Sequence, residues 1–461
     1  MDSQISTTLI RNVRVFTDGA LHRGAVAFGN GEIKQILLEG KDDIDSFASS
    51  AEEVIDGQNN MLLPGAIDAH VHFREPGLTQ KADIASESRA AAAGGVTTVF
   101  DMPNVNPTTT TLEALEEKHR LFQEKSVVNY GIFWGITTSN IDKTLELFEN
   151  NTQVVRTGND PRCISDICGY KVFLGSSTGG MLMNDAVLLR KLFSNTKRVI
   201  AVHSESEDII KANRQKYNPE NADDLPVELH PFIRSTEACV ATTRQAIALA
   251  KETGANLHIC HITTAEELEE LKSYRFQVSG FRFQDSITAE ACVAHLWFTD
   301  EDYKTLGTKI KCNPAIKTAA DREALRKGLS NGLISTIATD HAPHCESDKK
   351  GGALKAASGM PSIQYSLLAM LELVKQGVVS LPKVIELMCE NPAKRFGISN
   401  RGSIRVGAKA DLVLVSDTES TTVTKDDILS KCGWSPFEGT TFSHQVKATW
   451  VNGVCAYGLN E

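Results

Sequence analysis

Gly65-Ala66-Ile67-Asp68-Ala69-His70-Val71-His72 is a mostly apolar run ending in two imidazoles two residues apart. In an extended strand that spacing sends both rings to the same face, because successive side chains alternate. A helical segment, Asp83 to Ala93, follows, and then the pattern starts again. Seven more candidate strands succeed the first: Thr97 to Met102, Val128 to Ile136, Gly169 to Leu174, Val199 to His203, Leu257 to His261, Ser286 to Cys292 and Ser335 to Asp340. Helical segments fall between most of them, such as Leu112 to Gln123, Ser235 to Thr253 closed by Gly254, and Ala320 to Leu329. Eight strand-loop-helix units predict an α/β fold of the TIM (β/α)8 barrel class, in which chemistry sits at the C-terminal strand ends.

Outside this repeat the pattern becomes β-rich at both ends. Leu9 to Phe16, Ala25 to Phe28 and Ile33 to Leu38 alternate with Gly and Asp turns, and Ala410 to Val415 and Val446 to Val451 do the same, the latter closed by Asn452-Gly453. The flanks are expected to join as one small β-sandwich (residues 1–62 and 398–461) beside a barrel domain (residues 63–397). A chain of 461 residues at 41% hydrophobic composition is long enough for both.

The formal charge of -10 and the absence of any Lys/Arg block argue against nucleic acid or an anionic membrane surface as partners. Met1 to Thr8 is polar, and no stretch approaches 18 consecutive apolar residues, so a cytoplasmic chain without a membrane span is expected. The ten cysteines, scattered from Cys163 to Cys455, read as reduced thiols. Cys163 and Cys168 have no second pair to complete a zinc site.

Metal-ligand types recur at the predicted strand ends: His70 and His72 on the first, Lys171 on the fourth, His203 on the fifth, His261 on the sixth and Asp340 on the eighth. With 12 histidines in the chain, four at strand ends beside a strand-end Asp is a coincidence that points to a site. Imidazole and carboxylate donors suit Zn²⁺, and also Mn²⁺ or Co²⁺; no cysteine among them means an open catalytic site rather than a closed structural one. Arg74 offers a planar fork for a carboxylate, although a loop salt bridge would use the same residue. Asn104 after Pro103 also reads as a turn former and His344 as a loop histidine. His22, His119 and His444 read as solvated, His258 and His295 as packed groups. His341, beside Asp340, faces away from it.

The segments Asp68-Ala69-His70-Val71-His72-Phe73-Arg74-Glu75-Pro76-Gly77, Asp101-Met102-Pro103-Asn104 and Ala338-Thr339-Asp340-His341-Ala342-Pro343-His344 resemble those of the amidohydrolase superfamily, and more narrowly of dihydroorotases. Weaker likenesses are Gly169 to Gly175, Cys312-Asn313-Pro314 and Asn391-Pro392-Ala393, so the resemblance runs through nearly the whole chain. It implies that His70, His72 and Asp340 hold one divalent ion, that His203 and His261 hold a second, with zinc expected at both, and that Lys171 bridges them. An ammonium cannot bind a cation, so the bridge implies a carbamate formed from CO₂ on Lys171. The implied reaction is reversible hydrolysis of L-dihydroorotate to N-carbamoyl-L-aspartate, in pyrimidine synthesis, by a hydroxide shared between the two metals. Asp340 serves there as catalytic proton shuttle, and Arg74, Asn104, Asn313 and His344 bind the small-molecule substrate. A homodimer is expected, with aspartate transcarbamoylase as a candidate partner. Two stretches depart from the dihydroorotase pattern, Gly359 to Gln364 and Cys312 to Lys317, and the loop from Cys345 to Gly359 reads as either a lid or an exposed connection. An allantoinase or hydantoinase shares the mechanism without the substrate carboxylate, and a non-catalytic dihydroorotase-like scaffold would lack the ligands that this chain keeps.

Overall fold

The computed structural model describes residues 7–150, 160–175, 180–277 and 286–458, so the polar stretch 1–6 and the last residues of the C-terminal flank, 459–461, lie outside the described residues. The chain opens with β1 (Thr8–Thr17), β2 (Ala20–Gly29), β3 (Glu32–Leu38) and β4 (Glu53–Pro64). The eight repeat strands follow as β5 (Ala66–Val71), β6 (Val96–Asp101), β7 (Asn129–Gly135), β8 (Gly169–Phe173), β9 (Ile200–His203), β10 (Leu257–Ile259), β11 (Ile287–Cys292) and β12 (Thr336–Ala338). It closes with β13 (Leu412–Ser416), the short β14 (Thr421–Thr422) and β15 (Thr441–Phe442), β16 (Gln445–Val451) and β17 (Val454–Gly458).

Strands β5 to β12 lie side by side in chain order, all parallel. The ring closes where the His72 N–H donates to the His341 carbonyl at 2.8 Å, beside a parallel bridge between Val71 and His341. Every residue of β5 to β9 is buried, as expected of a parallel sheet covered by helices rather than a half-solvated one. The helices start where short polar side chains satisfy their first amides. Asp83 caps Ile84–Ala93, Thr111 caps Leu112–Lys125, and Ser235 caps Thr236–Thr253, which ends at Gly254 with φ of 70°. No described helix is long and apolar enough to cross a membrane.

The two flanks join in one seven-stranded sheet of order β17-β16-β13-β4-β1-β2-β3. Its central strand, β4, was not among the expected runs because its first half, Glu53 to Asn60, is polar and Gly-containing. In its second half Met61 and Leu63 pack on the barrel core while Leu62 joins Val15, Val26 and Leu412 in the flank core. The sheet curls far enough that Phe28 on β2 meets Trp450 on β16 edge-on at 6.4 Å.

All ten cysteines are free thiols. His119 corrects its sequence reading: it is buried, its Nε2 donates to the Asp166 carbonyl at 2.8 Å, and its ring lies 6.0 Å from Tyr130. It shares the inward stripe of its helix with Leu115 and Phe122, a periodicity that outweighs the polarity of one imidazole.

A buried polar knot fastens flank to barrel. Asp411 accepts from Asn129 Nδ2 at 3.0 Å, from the Asn452 amide at 2.7 Å, and from Arg401. Both partners of the Arg401–Asp411 ion pair are buried. Breaking such a pair leaves an uncompensated buried charge, so Asp411→Asn is expected to lower unfolding stability by about 3 to 5 kcal/mol. Denaturant titration of the variant checks this; a loss below about 1 kcal/mol would mean that the knot is replaceable.

Candidate active site

The ten residues singled out from the sequence line one cavity of about 480 Å³ at the C-terminal end of the barrel. His70, Lys171 and His203 lie on β5, β8 and β9, and His72 directly follows β5. His261 and Asp340 do not end their strands as expected; they stand beyond β10 and β12 with φ of 39° and 49°, and Arg74 has φ of 67°. Left-handed backbone is costly for residues with a Cβ, and here it turns the side chains inward over the barrel mouth.

Asp340 Oδ1 lies 3.3 Å from His70 Nε2 and 3.0 Å from His72 Nε2. The far nitrogen of each ring is tied: His70 Nδ1 lies 2.8 Å from Glu290 Oε1, and His72 Nδ1 lies 2.7 Å from Asn104 Oδ1. With acceptors at both Nδ1 atoms, each Nε2 points toward Asp340, which is the arrangement that suits a cation shared among them. Burial pushes Asp340 up, but His70 and then His72 more than reverse this, so the carboxylate stands well below its ordinary range. Burial pushes His72 down to about 3. His70 is pushed down by burial and Lys171, yet Glu290 and Asp340 outweigh both and hold it at about 10, as expected of a nitrogen that calls for a positive partner.

A second donor pair faces the first. His203 Nδ1 and His261 Nε2 are 2.9 Å apart, and His203 Nε2 is 2.9 Å from Glu205 Oε2. Burial lowers both imidazoles, leaving neutral rings. Lys171 is fully buried, with its Nζ 3.2 Å from Cys260 Sγ.

The residues that hold this arrangement were not singled out from the sequence. Glu290, in the middle of β11, receives the His70 ring, the His261 amide at 3.1 Å and His258 Nε2 at 3.4 Å. A carboxylate in an otherwise apolar buried strand was the available signal. Glu205 pairs with Arg234, and that pairing holds it well below the carboxylate range despite burial. Asp68 receives the Thr339 hydroxyl at 2.6 Å, and Asp101 receives the Phe73 amide at 2.7 Å and pairs with buried Lys118 at 2.6 Å. These two acids lock the three matching motifs together. His341 points away, its Nε2 2.8 Å from Glu87, as its strand position implied.

On the opposite wall Arg74 donates from Nε to the Pro343 carbonyl at 3.1 Å, and its Nη2 lies 3.1 Å from His344 Nε2. Burial, Arg74 and Lys81 push His344 down to about 2, so its ring is neutral. Asn313 Oδ1 is buried without a hydrogen-bond partner among the described residues, an acceptor available to a ligand. Of the departing segments, Gln364 turns to the flank, where it receives the Leu429 amide at 2.9 Å, and Lys317 donates to the Ala315 carbonyl at 3.0 Å; neither lines the cavity.

Residues 61–455 match the amidohydrolase family. A dihydroorotase of Methanosarcina mazei is 33% identical over 436 residues, covering 93% of this chain and 90% of its own. An allantoinase of Bacillus velezensis is 30% identical over 455 residues, covering 97% and 93%. Among solved structures, the L-hydantoinase (dihydropyrimidinase) of Arthrobacter aurescens superposes with a TM-score of 0.86 at 25% identity, over 98% of this chain and 96% of its own.

Glu290 aligns donors of both groups, so Glu290→Gln should weaken divalent-ion affinity by roughly 10- to 100-fold, the usual cost of losing an outer carboxylate. Chelator competition measures this. Unchanged affinity in a folded variant would show that Glu290 only fills space.

Proposed function

The chain belongs to the amidohydrolase family, whose members named above are cyclic amide hydrolases, and on that premise we propose that its substrate is L-dihydroorotate, opened reversibly to N-carbamoyl-L-aspartate. The observation carrying this reading is the charge of the cavity. Besides Lys171, the basic side chains Arg74, Lys81, Arg214, Lys311 and the Glu205-paired Arg234 line it, against the single lining carboxylate of Asp340. Such a wall favours an anionic substrate. Dihydroorotate carries a carboxylate; allantoin and hydantoin do not.

The donors fit divalent cations: His70, His72 and Asp340 would hold one, and His203 and His261 a second, with zinc suiting nitrogen and oxygen ligands. When bound, such ions supply Lewis acidity and make water acidic enough to attack an amide. A buried ammonium whose neighbour is a thiol is costly, and carboxylation of Lys171 by CO₂ would replace that cation with an anion able to reach both ions. Asp340 accepts the proton of the attacking water and delivers it to the departing ring nitrogen, and in ring closure it works in reverse. Arg74, beside His344, orients the substrate carboxylate, and Asn313 Oδ1 accepts from a ring N–H.

The allantoinase relative supports a second reading, with the same chemistry on an uncharged ring. Arg74 separates the two. A guanidinium–carboxylate fork makes two charge-assisted hydrogen bonds, together worth about 3 to 5 kcal/mol, so Arg74→Met should lower kcat/KM for dihydroorotate roughly 10²- to 10⁴-fold. Metal content should stay at the parent level, because Arg74 touches neither donor group. A variant that keeps parental kcat/KM would exclude the carboxylate pocket.

A further inference from the structure

The loop between Cys345 and Gly359 carries a buried lysine that the chemistry above does not use. Lys349, only 6% exposed, donates from Nζ to three carbonyl oxygens: Lys311 at 3.1 Å, Ala357 at 2.8 Å and Gly359 at 2.7 Å. Its ammonium also lies 5.7 Å from the centre of the Trp434 ring, and the Trp434 indole N–H donates to the His344 carbonyl at 2.8 Å. Across the loop, the Asp224 carboxylate receives the amides of Gly352, Leu354 and Lys355 at 2.6, 3.0 and 3.2 Å. Lys349 Nζ thus gathers two of the loop's carbonyls together with that of Lys311, and the Asp224 carboxylate gathers the loop's amides. The three bonds to the Asp224 carboxylate are of the stronger, charge-assisted kind.

What this pins is the substrate wall. Residues 356–359 line the cavity, and the Ser358 carbonyl lies 3.1 Å from His344 Nε2, the atom that also faces Arg74. Lys311, whose carbonyl Lys349 also holds, sits two residues before Asn313. Gly359, with φ of 135°, passes so close to the Ala342 carbonyl that a Cβ there would lie 2.5 Å from it, so the wall has no slack on that side.

We propose that Lys349 is a positioning residue for substrate binding: it ties residues 311, 357 and 359 into one rigid wall that sets His344, and through it Arg74, against the substrate carboxylate. The proposal rests on the dihydroorotate reading of the site. The loop is therefore a fixed wall of the cavity rather than a lid. Removing the clamp should loosen ground-state binding of the carboxylate and leave Asp340, which hydrogen-bonds His72 rather than the wall, in place.

The test compares Lys349→Met, and Lys349→Gln should the first not fold, with the parent metal-loaded enzyme. KM for dihydroorotate should rise about tenfold or more while kcat stays within about threefold, with metal content unchanged. Amide hydrogen exchange in residues 350–359, read without substrate, should speed up about tenfold or more. Exchange at the parental rate, an unmoved KM, or a joint collapse of kcat and metal content would each overturn the clamp, the last by showing a merely structural role. A parent enzyme inactive on dihydroorotate overturns the substrate reading instead and with it the carboxylate role, while the exchange result still decides whether the wall is clamped.

Discussion

Asp340 Oδ1 lies within 3.3 Å of two imidazole nitrogens that have no other way to face, and the geometry of the barrel mouth depends on that contact. Buried imidazoles around a buried carboxylate make a stable arrangement only if every remaining polar atom is satisfied outward. Glu290, Asn104 and Glu205 do this for His70, His72 and His203 in turn. The lone pairs that remain converge on the cavity, and little reorganisation is needed when charge develops there.

Closing the barrel brings these groups together from opposite ends of the domain. His70 and His72 come from the first strand and Asp340 from beyond the last; the bond from the His72 amide to the His341 carbonyl joins the two edges. Positive φ at Arg74, His261 and Asp340 is local strain held by that surrounding network. On the proposed reading, the cationic wall selects the substrate, since dihydroorotase, allantoinase and hydantoinase relatives share the cyclic-amide chemistry.

Much of this was legible in the chain. The barrel strands are mostly apolar runs because helices cover them, and such runs can be counted; the ligand types at or near their ends gave six residues that line the one cavity. What escaped was non-local or written in polar residues. β4 hides behind Glu53 to Asn60, and His119 looked solvated because its helix period was given less weight than its polarity. Lys349, within a Lys- and Gly-rich loop, looks solvent-exposed until carbonyls from residues 311, 357 and 359 are seen to surround it. The left-handed turns at His261 and Asp340 leave no mark in residue type, since neither is a glycine.

The most direct test of the central claim is a side-by-side determination of kcat/KM for the purified, metal-loaded protein on L-dihydroorotate, allantoin and hydantoin. A cavity with five basic side chains besides Lys171 and one lining carboxylate predicts at least a hundredfold preference for dihydroorotate, the discrimination expected when a buried charged group loses its partner. Equal or greater kcat/KM on either uncharged ring would contradict it.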